Sequence, residues 1–194
     1  RAGGVGAIVV TAPASSIEEF RSALSDFDDL TVVAGSDRSR QESVALGLAA
    51  LSSCEGDTVV LVHDAARPLT PPQVTERVID AVAGGSGAVI PVLPVTDTLK
   101  TVDSAGVVVG TPRRSDMVAV QTPQGFRWDV LIRAHEEGAS LGADEARAAT
   151  DDAGLVEAIG GSVQTVAGDE RSMKVTRPLD LALAQILVAE ETSA

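Results

Sequence analysis

The sequence is short of the residues that build several specialised surfaces. Of 194 residues only four are aromatic, Phe20, Phe27, Phe126 and Trp128, and there is no tyrosine. Stacking platforms for single-stranded nucleic acid need more than that. Positive charge is scarce too: 15 Lys and Arg stand against 28 Asp and Glu, a net charge of −13. Nucleic acid and anionic membranes favour the opposite balance, so neither is expected as a partner. A small anionic ligand remains compatible, because a local basic cluster suffices and net charge is screened beyond about 8 Å at physiological salt. The single cysteine, Cys54, excludes an internal disulfide and points to a reducing, cytoplasmic setting. With the two histidines, His63 and His135, it shows no zinc spacing, and no side-chain metal site is expected. No apolar run approaches the ~18 residues of a membrane span, and no signal-peptide pattern is present. There is no P-loop and no serine nucleophile elbow. The glycine clusters Gly3–Gly6 and Gly84–Gly87 precede strands instead of following them, which is the wrong place for a dinucleotide.

What is present is a core of Val, Ile, Leu and Ala, with a hydrophobic share of 44%. Short β-branched runs alternate with helical patterns. Strands are expected at Gly6–Thr11, Leu30–Ala34, Thr58–His63 and Ala88–Val92. Between them fall a helix capped by Ser16 with Glu19 as a capping box, a second over Gln41–Leu51, and a third opened by Pro71-Pro72 with Val74, Val78 and Val82 in phase. That order predicts one α/β domain over residues 1–194 with a Rossmann-like, mostly parallel sheet. The pattern then breaks. Two short strands, Asp97–Val102 and Val107–Gly110, meet at Ser104-Ala105-Gly106 and read as a projecting β-hairpin within residues 95–118. Such a hairpin is either a subunit contact or an ordinary sheet edge. Beyond it a strand at Val118–Gln121, a helix at Asp129–Glu137 and a short helix from Asp151 are expected. Strands at Val163–Val166 and Met173–Thr176 and a helix from Pro178 complete the chain.

In open α/β sheets ligands gather at the carboxyl ends of strands. The run His63-Asp-Ala-Ala-Arg-Pro68 follows the most strand-like segment. Asp64 would stand at the strand tip, and Arg67 would supply a planar fork for a phosphate. The same two residues could instead be a structural pair closing a loop. Gly35, Ser36, Arg40 and Ser43 lead into a helix N-terminus, where free N–H groups favour an anion. Lys174 lies within an apolar run, and Thr98, Lys100, Arg113 and Arg114 make the hairpin basic on an acidic chain. Reactions that need no side-chain nucleophile, such as phosphoryl or nucleotidyl transfer, fit this inventory.

Several stretches together carry a resemblance. Arg40-Gln-Glu-Ser-Val44, Val62-His-Asp-Ala-Ala-Arg-Pro68 and Pro94-Val-Thr-Asp-Thr-Leu-Lys100 are followed by Gln121-Thr-Pro-Gln-Gly-Phe126, Thr150-Asp-Asp-Ala153 and Lys174-Val-Thr-Arg-Pro178. In this order and spacing the sequence resembles the 2-C-methyl-D-erythritol 4-phosphate cytidylyltransferases, across essentially its whole length. The resemblance implies a nucleotide-diphospho-sugar transferase type of fold, CTP and methylerythritol phosphate as substrates, and a divalent ion, usually Mg²⁺. It implies that Gly35, Ser36, Arg40, Ser43, Ala65 and Lys174 contact CTP. Asp64, Arg67, Thr98, Arg114, Thr122 and Thr150 would hold the alcohol phosphate, with Lys174 and Arg114 as the catalytic pair that aligns it. It further implies a homodimer in which the hairpin crosses to the partner, so that Thr98 and Arg114 act in trans.

Two departures stand out. Members of the family open with a strand, a Gly-rich loop carrying an arginine, and a lysine; this sequence starts after them, and such a segment is expected ahead of Arg1. Gly35–Arg40 also reads Gly-Ser-Asp-Arg-Ser-Arg where a double glycine is common. The alternatives are a ribitol 5-phosphate cytidylyltransferase, which shares several of these blocks, and an inactive dimer-forming or binding module lacking the phosphate loop.

Overall fold

The computed structural model describes residues 3–51, 54–138 and 151–192. The β-branched runs Ile8–Ala12 (β1) and Leu30–Ala34 (β2) pair in parallel, Ile8 opposite Leu30 and Ala12 opposite Ala34. Helix α1 (Ile17–Ala23) joins them. Ser16 sits at its N-cap position, but a short 3-10 turn at Ala14–Ser16 leads in and the expected side-chain cap does not form. Helix α2 (Arg40–Ala50) is capped by Ser39, whose hydroxyl accepts from Glu42 N at 3.1 Å. After β3 (Val59–Val62), Pro72 starts α3 (Pro72–Ala83) with a preset φ, and Val74, Val78 and Val82 are buried one turn apart.

The main sheet is mixed, which corrects the expected mostly parallel one. Strand β4 (Ala88–Pro94) runs parallel to β9 (Val163–Ala167). It is antiparallel to β7 (Val118–Val120) through Val92–Pro94 and to β8 (Gln124–Arg127) through Ala88–Val89. Strand β8 also pairs antiparallel with β3, Val60 opposite Phe126, so it separates the two strands expected to be parallel neighbours. The physical reason lies in Gln124-Gly-Phe-Arg, a strand without a β-branched residue that follows a proline. Its first three residues are buried between neighbours on both sides. Gly125 makes this possible, because a Cβ there would run into Val78 Cγ1 of α3 and lie 3.2 Å from Val82 Cγ2.

Strands β5 (Thr101–Val102) and β6 (Val108–Gly110) form a separate antiparallel pair. Asp103 Oδ1 accepts from Ala105 N at 3.0 Å and Val107 N at 2.9 Å, and Gly106 takes φ +81 to close the turn. Val102, Val107, Val108 and Val109 are exposed on this pair. Helices α4 (Trp128–Gly138), α5 (Asp152–Ala158) and α6 (Pro178–Thr192) follow the expected order. A second correction falls at Met173–Thr176, which is no strand: it leaves a 3-10 turn at Glu170–Ser172, and Val175 N donates to Ala66 O at 2.7 Å across a loop, not along a ladder.

Phe126, Leu131, Ala134, Leu155, Val156, Val60, Ala88 and Leu48 form the largest apolar cluster, with Val78, Val82 and Val89 in a second on the α3 side. No helix among the described residues is long and apolar enough to cross a membrane.

Candidate active site

The chain leaves β3 at Val62 and turns at once, Arg67 N donating to Asp64 O at 2.9 Å. That turn presents Asp64 at the carboxyl end of the strand, as the sequence leads one to expect. Its backbone N–H is held by Thr122 Oγ1 at 3.0 Å, and that hydroxyl meets His63 Nδ1 at 3.0 Å. Thr122 is buried, so its hydroxyl is occupied in fixing the base of the Asp64 turn.

Three cations converge on Asp64. Lys174 Nζ lies 3.0 Å from Oδ2, Arg40 Nε 3.5 Å from Oδ1 and Arg67 Nε 3.8 Å from Oδ2. They come from loops far apart in sequence: the start of α2, the turn after β3, and the segment after β9. Burial would push the Asp64 carboxyl up, but the Lys174 ammonium, then Arg40 and Arg67, outweigh it and hold it below the usual carboxylate range. Counting the buried Asp152, which holds Arg40 from behind, two carboxylates meet three cations and leave a surplus of one positive charge, a local reversal on a chain of net −13.

The three cations are not equivalent. Lys174 is 47% exposed, and among the described residues its side chain is tied to Asp64 alone. Arg67 is 13% exposed and donates through Nη1 to Ser172 O at 2.6 Å and through Nη2 to Val120 O at 3.4 Å. Each terminal nitrogen therefore gives one N–H to backbone, which ties the fork to the loops around it. The Asp64–Arg67 pair closes the loop, as the structural one of the two sequence readings has it, and it also adds to the cationic cluster. The 169–175 segment that carries Lys174 is pinned further by Gln121, whose amide donates to Asp169 O at 2.8 Å and accepts from Asp169 N at 3.0 Å.

The loop at Gly35–Ser43 stands beside this group through Arg40. Ser43 Oγ accepts from Ser36 N at 2.9 Å and lies 3.1 Å from Ser36 O and Ser39 O, so the hydroxyl folds the loop onto the helix start. Ser36 Oγ is engaged with Glu42 and also accepts from Arg38 N at 3.0 Å. Ala65 is exposed next to Asp64. Thr98 and Arg114 are not brought to Asp64: the Arg114 guanidinium donates to Thr96 O at 2.7 Å, and among the described residues neither bonds to the cluster. Arg114 lines a shallow cavity of about 560 Å³ together with Val92, Pro94 and Met117. Thr150 lies outside the described residues.

The sequence reading missed a buried polar group behind the site. Asp152, at the start of α5, is inaccessible; its Oδ2 takes Arg40 Nη1 at 2.7 Å and its Oδ1 meets His135 Nε2 at 2.9 Å. Gln124, also buried, donates to Asp151 Oδ2 at 2.6 Å and accepts from Ala153 N at 3.1 Å. The one available sign was the polar run Thr150-Asp151-Asp152 ahead of a helical pattern, which reads equally well as an exposed cap.

A family model described as 2-C-methyl-D-erythritol 4-phosphate cytidylyltransferase matches residues 2–190. A protein of that name from Rhodococcus jostii is 47% identical over 190 residues, covering 98% of this chain and 78% of the relative. Among solved structures, a 4-diphosphocytidyl-2C-methyl-D-erythritol synthase from Anaerococcus prevotii superposes with TM-score 0.84 at 27% identity, over 95% of this chain and 82% of that one. A 2-C-methyl-D-erythritol 4-phosphate cytidylyltransferase from Thermus thermophilus gives TM-score 0.72 at 32% identity, over 93% and 97%. With its fold, its cationic strand-tip cluster and these likenesses in agreement, the chain belongs to the 2-C-methyl-D-erythritol 4-phosphate cytidylyltransferase family.

Proposed function

We propose that the full-length protein makes CDP-methylerythritol and pyrophosphate from CTP and 2-C-methyl-D-erythritol 4-phosphate, a step of isoprenoid precursor synthesis in the cytoplasm. The observation that carries the reading is the convergence of Lys174, Arg40 and Arg67 on Asp64, which leaves the cluster net positive even with Asp152 behind Arg40. Joining two polyanions is mainly a problem of charge and position, and this cluster supplies both. An oxygen of the alcohol phosphate attacks the α-phosphorus of CTP in line. A new P–O bond forms as the bond to the β-phosphate breaks, and pyrophosphate leaves with the electron pair. The attacking phosphate is already ionised, so no side chain has to remove a proton.

Lys174 is suited to follow the reacting phosphates, because a half-exposed ion pair is held by little free energy and three donors sit on one flexible stem. Arg40 and the Gly35–Ser43 loop border the CTP side, with Ala65 leaving room beside Asp64. Arg67 and Thr122 stabilise the alcohol-phosphate side by fixing the Asp64 turn. Thr98, Arg114 and Thr150 complete that side, the first two from a partner subunit. The exposed valines of β5 and β6 support such a homodimer, since they have no cover within the described chain.

The donor set fits a Mg²⁺ that arrives on the nucleotide. Among the described residues no three Asp, Glu, His or Cys side chains converge as a cage, and of the two carboxylates on Arg40 only Asp64 is accessible, Asp152 being fully buried. Mg²⁺ keeps most of its waters and binds through phosphates with one or two carboxylates. When bound it would neutralise charge on the triphosphate.

The test is pyrophosphate release by the full-length protein with CTP and Mg²⁺, comparing methylerythritol phosphate with ribitol 5-phosphate. Faster turnover of methylerythritol phosphate is expected. A preference for ribitol 5-phosphate, or no release, overturns the reading.

A further inference from the structure

We propose that Asp152, backed by His135, is a positioning residue that sets where the Arg40 guanidinium stands in the active site. The inference rests on the functional reading above. Asp152 is fully buried and divides its oxygens between two helices, Oδ2 taking Arg40 Nη1 at 2.7 Å and Oδ1 taking His135 Nε2 of α4 at 2.9 Å. A buried carboxylate is costly unless paired, and an apolar residue would serve packing as well. What the carboxylate gives instead is direction. Arg40 is a long side chain on the first residue of α2, and it reaches Asp64 through Nε at 3.5 Å while Nη1 is held from behind.

The anchor itself cannot drift. Asp151 caps α5 by accepting from Gly154 N at 2.9 Å. Gln124 of β8 ties that cap and Ala153 N to the sheet, at 2.6 Å and 3.1 Å. Asp152 is thereby fixed against the core, and a continuous series of polar contacts runs from His135 through Asp152, Arg40 and Asp64 to Lys174. Sharing Arg40 between two carboxylates keeps it on Asp64 Oδ1 and off Oδ2, where Lys174 stands at 3.0 Å with Arg67 at 3.8 Å. Without the charge on Asp152, Arg40 falls fully onto Asp64 and competes with that lysine.

The test is a double-mutant cycle on the full-length enzyme with Asp152→Asn, Arg40→Ala and the pair, read in kcat and KM for both substrates and in CTP binding by calorimetry. Asp152→Asn should lower kcat/KM by on the order of tenfold or more, as a misplaced site group does. In the Arg40→Ala background the same change should have no effect beyond about twofold. A loss of equal size in both backgrounds means that Asp152 acts on the fold and not through Arg40, and overturns the proposal. If Asp152→Asn does not fold, His135→Gln runs the same cycle; a smaller loss that vanishes with Arg40→Ala is expected, and a loss that persists overturns it. If the wild type releases no pyrophosphate, the functional reading has failed. The cycle is then decided on CTP binding alone, with the same two outcomes.

Discussion

Asp64 and Asp152 are both carboxylates held in the charged form against burial, one at the site and one behind it. For Asp152, burial pushes the carboxyl up, while the hydrogen bond from His135 and the charge of Arg40 outweigh it and hold it below the usual range. A carboxyl depressed in the folded state contributes stability that is present above the unfolded value of about 3.9 and is lost as pH falls through the folded value. Wild-type stability should therefore drop steeply below about pH 4, and Asp64 adds in the same direction. Asp152→Asn should be less stable at neutral pH by roughly 3 kcal/mol, the scale for breaking a buried pair, with a shallower acid limb. Melting curves from pH 6 to 3 check this, and parallel wild-type and variant profiles contradict it. Lys174→Ala should lower turnover by about 10²–10³, since it removes a charge aimed at the reacting phosphates; initial rates at saturating substrate decide. Asp64, Arg67 and Lys174 were legible because they cluster at strand ends or in dense motifs. Asp152 and His135 were not, because a buried acid and a solvated one look alike in sequence, and its arginine lies 112 residues away.

At the scale of elements, legibility followed the strength of local pattern. Helix α3 could be read outright: two prolines set its start, three valines one turn apart set its buried face, and Gly84-Gly85 stopped it. Strand β8 could not be read. Its backbone takes its conformation from partners on both sides, not from β-propensity, and this is why the sheet proved mixed where alternation of strand and helix implied a parallel one. The segment carrying Lys174 shows the opposite case, a β-rich run that makes one cross-loop hydrogen bond and no ladder. The close approach of α3 to β8 gives a sharp test. Val78 is β-branched on a helix and cannot rotate aside from a new methyl group. Gly125→Ala should destabilise the fold by about 1–3 kcal/mol, measured by urea unfolding. An unchanged midpoint would show that the helix sits more loosely than the contact with Gly125 implies.

The whole molecule has a division of labour between a buried cluster that holds charge in place and an exposed hairpin that carries charge outward. Thr98 and Arg114 lie beside the hairpin and away from Asp64, which is why the proposed function has them arrive from a second subunit. Val108→Glu with Val109→Glu should convert a dimer to monomers in sedimentation velocity and lower turnover together, because both valines are exposed on β6. A variant that stays dimeric would move the subunit contact elsewhere. Arg114→Ala should reduce kcat more than CTP affinity, and an unchanged kcat would remove it from phosphate alignment. The central claim, nucleotidyl transfer at the Asp64 cluster, is tested most directly by phosphorus NMR of the full-length protein with CTP, Mg²⁺ and methylerythritol phosphate. The account predicts paired resonances of a new diphosphate diester growing in step with pyrophosphate, and their loss in Lys174→Ala. Conversion of CTP to CDP with free phosphate, or diester formation undiminished by the Lys174 change, would contradict it.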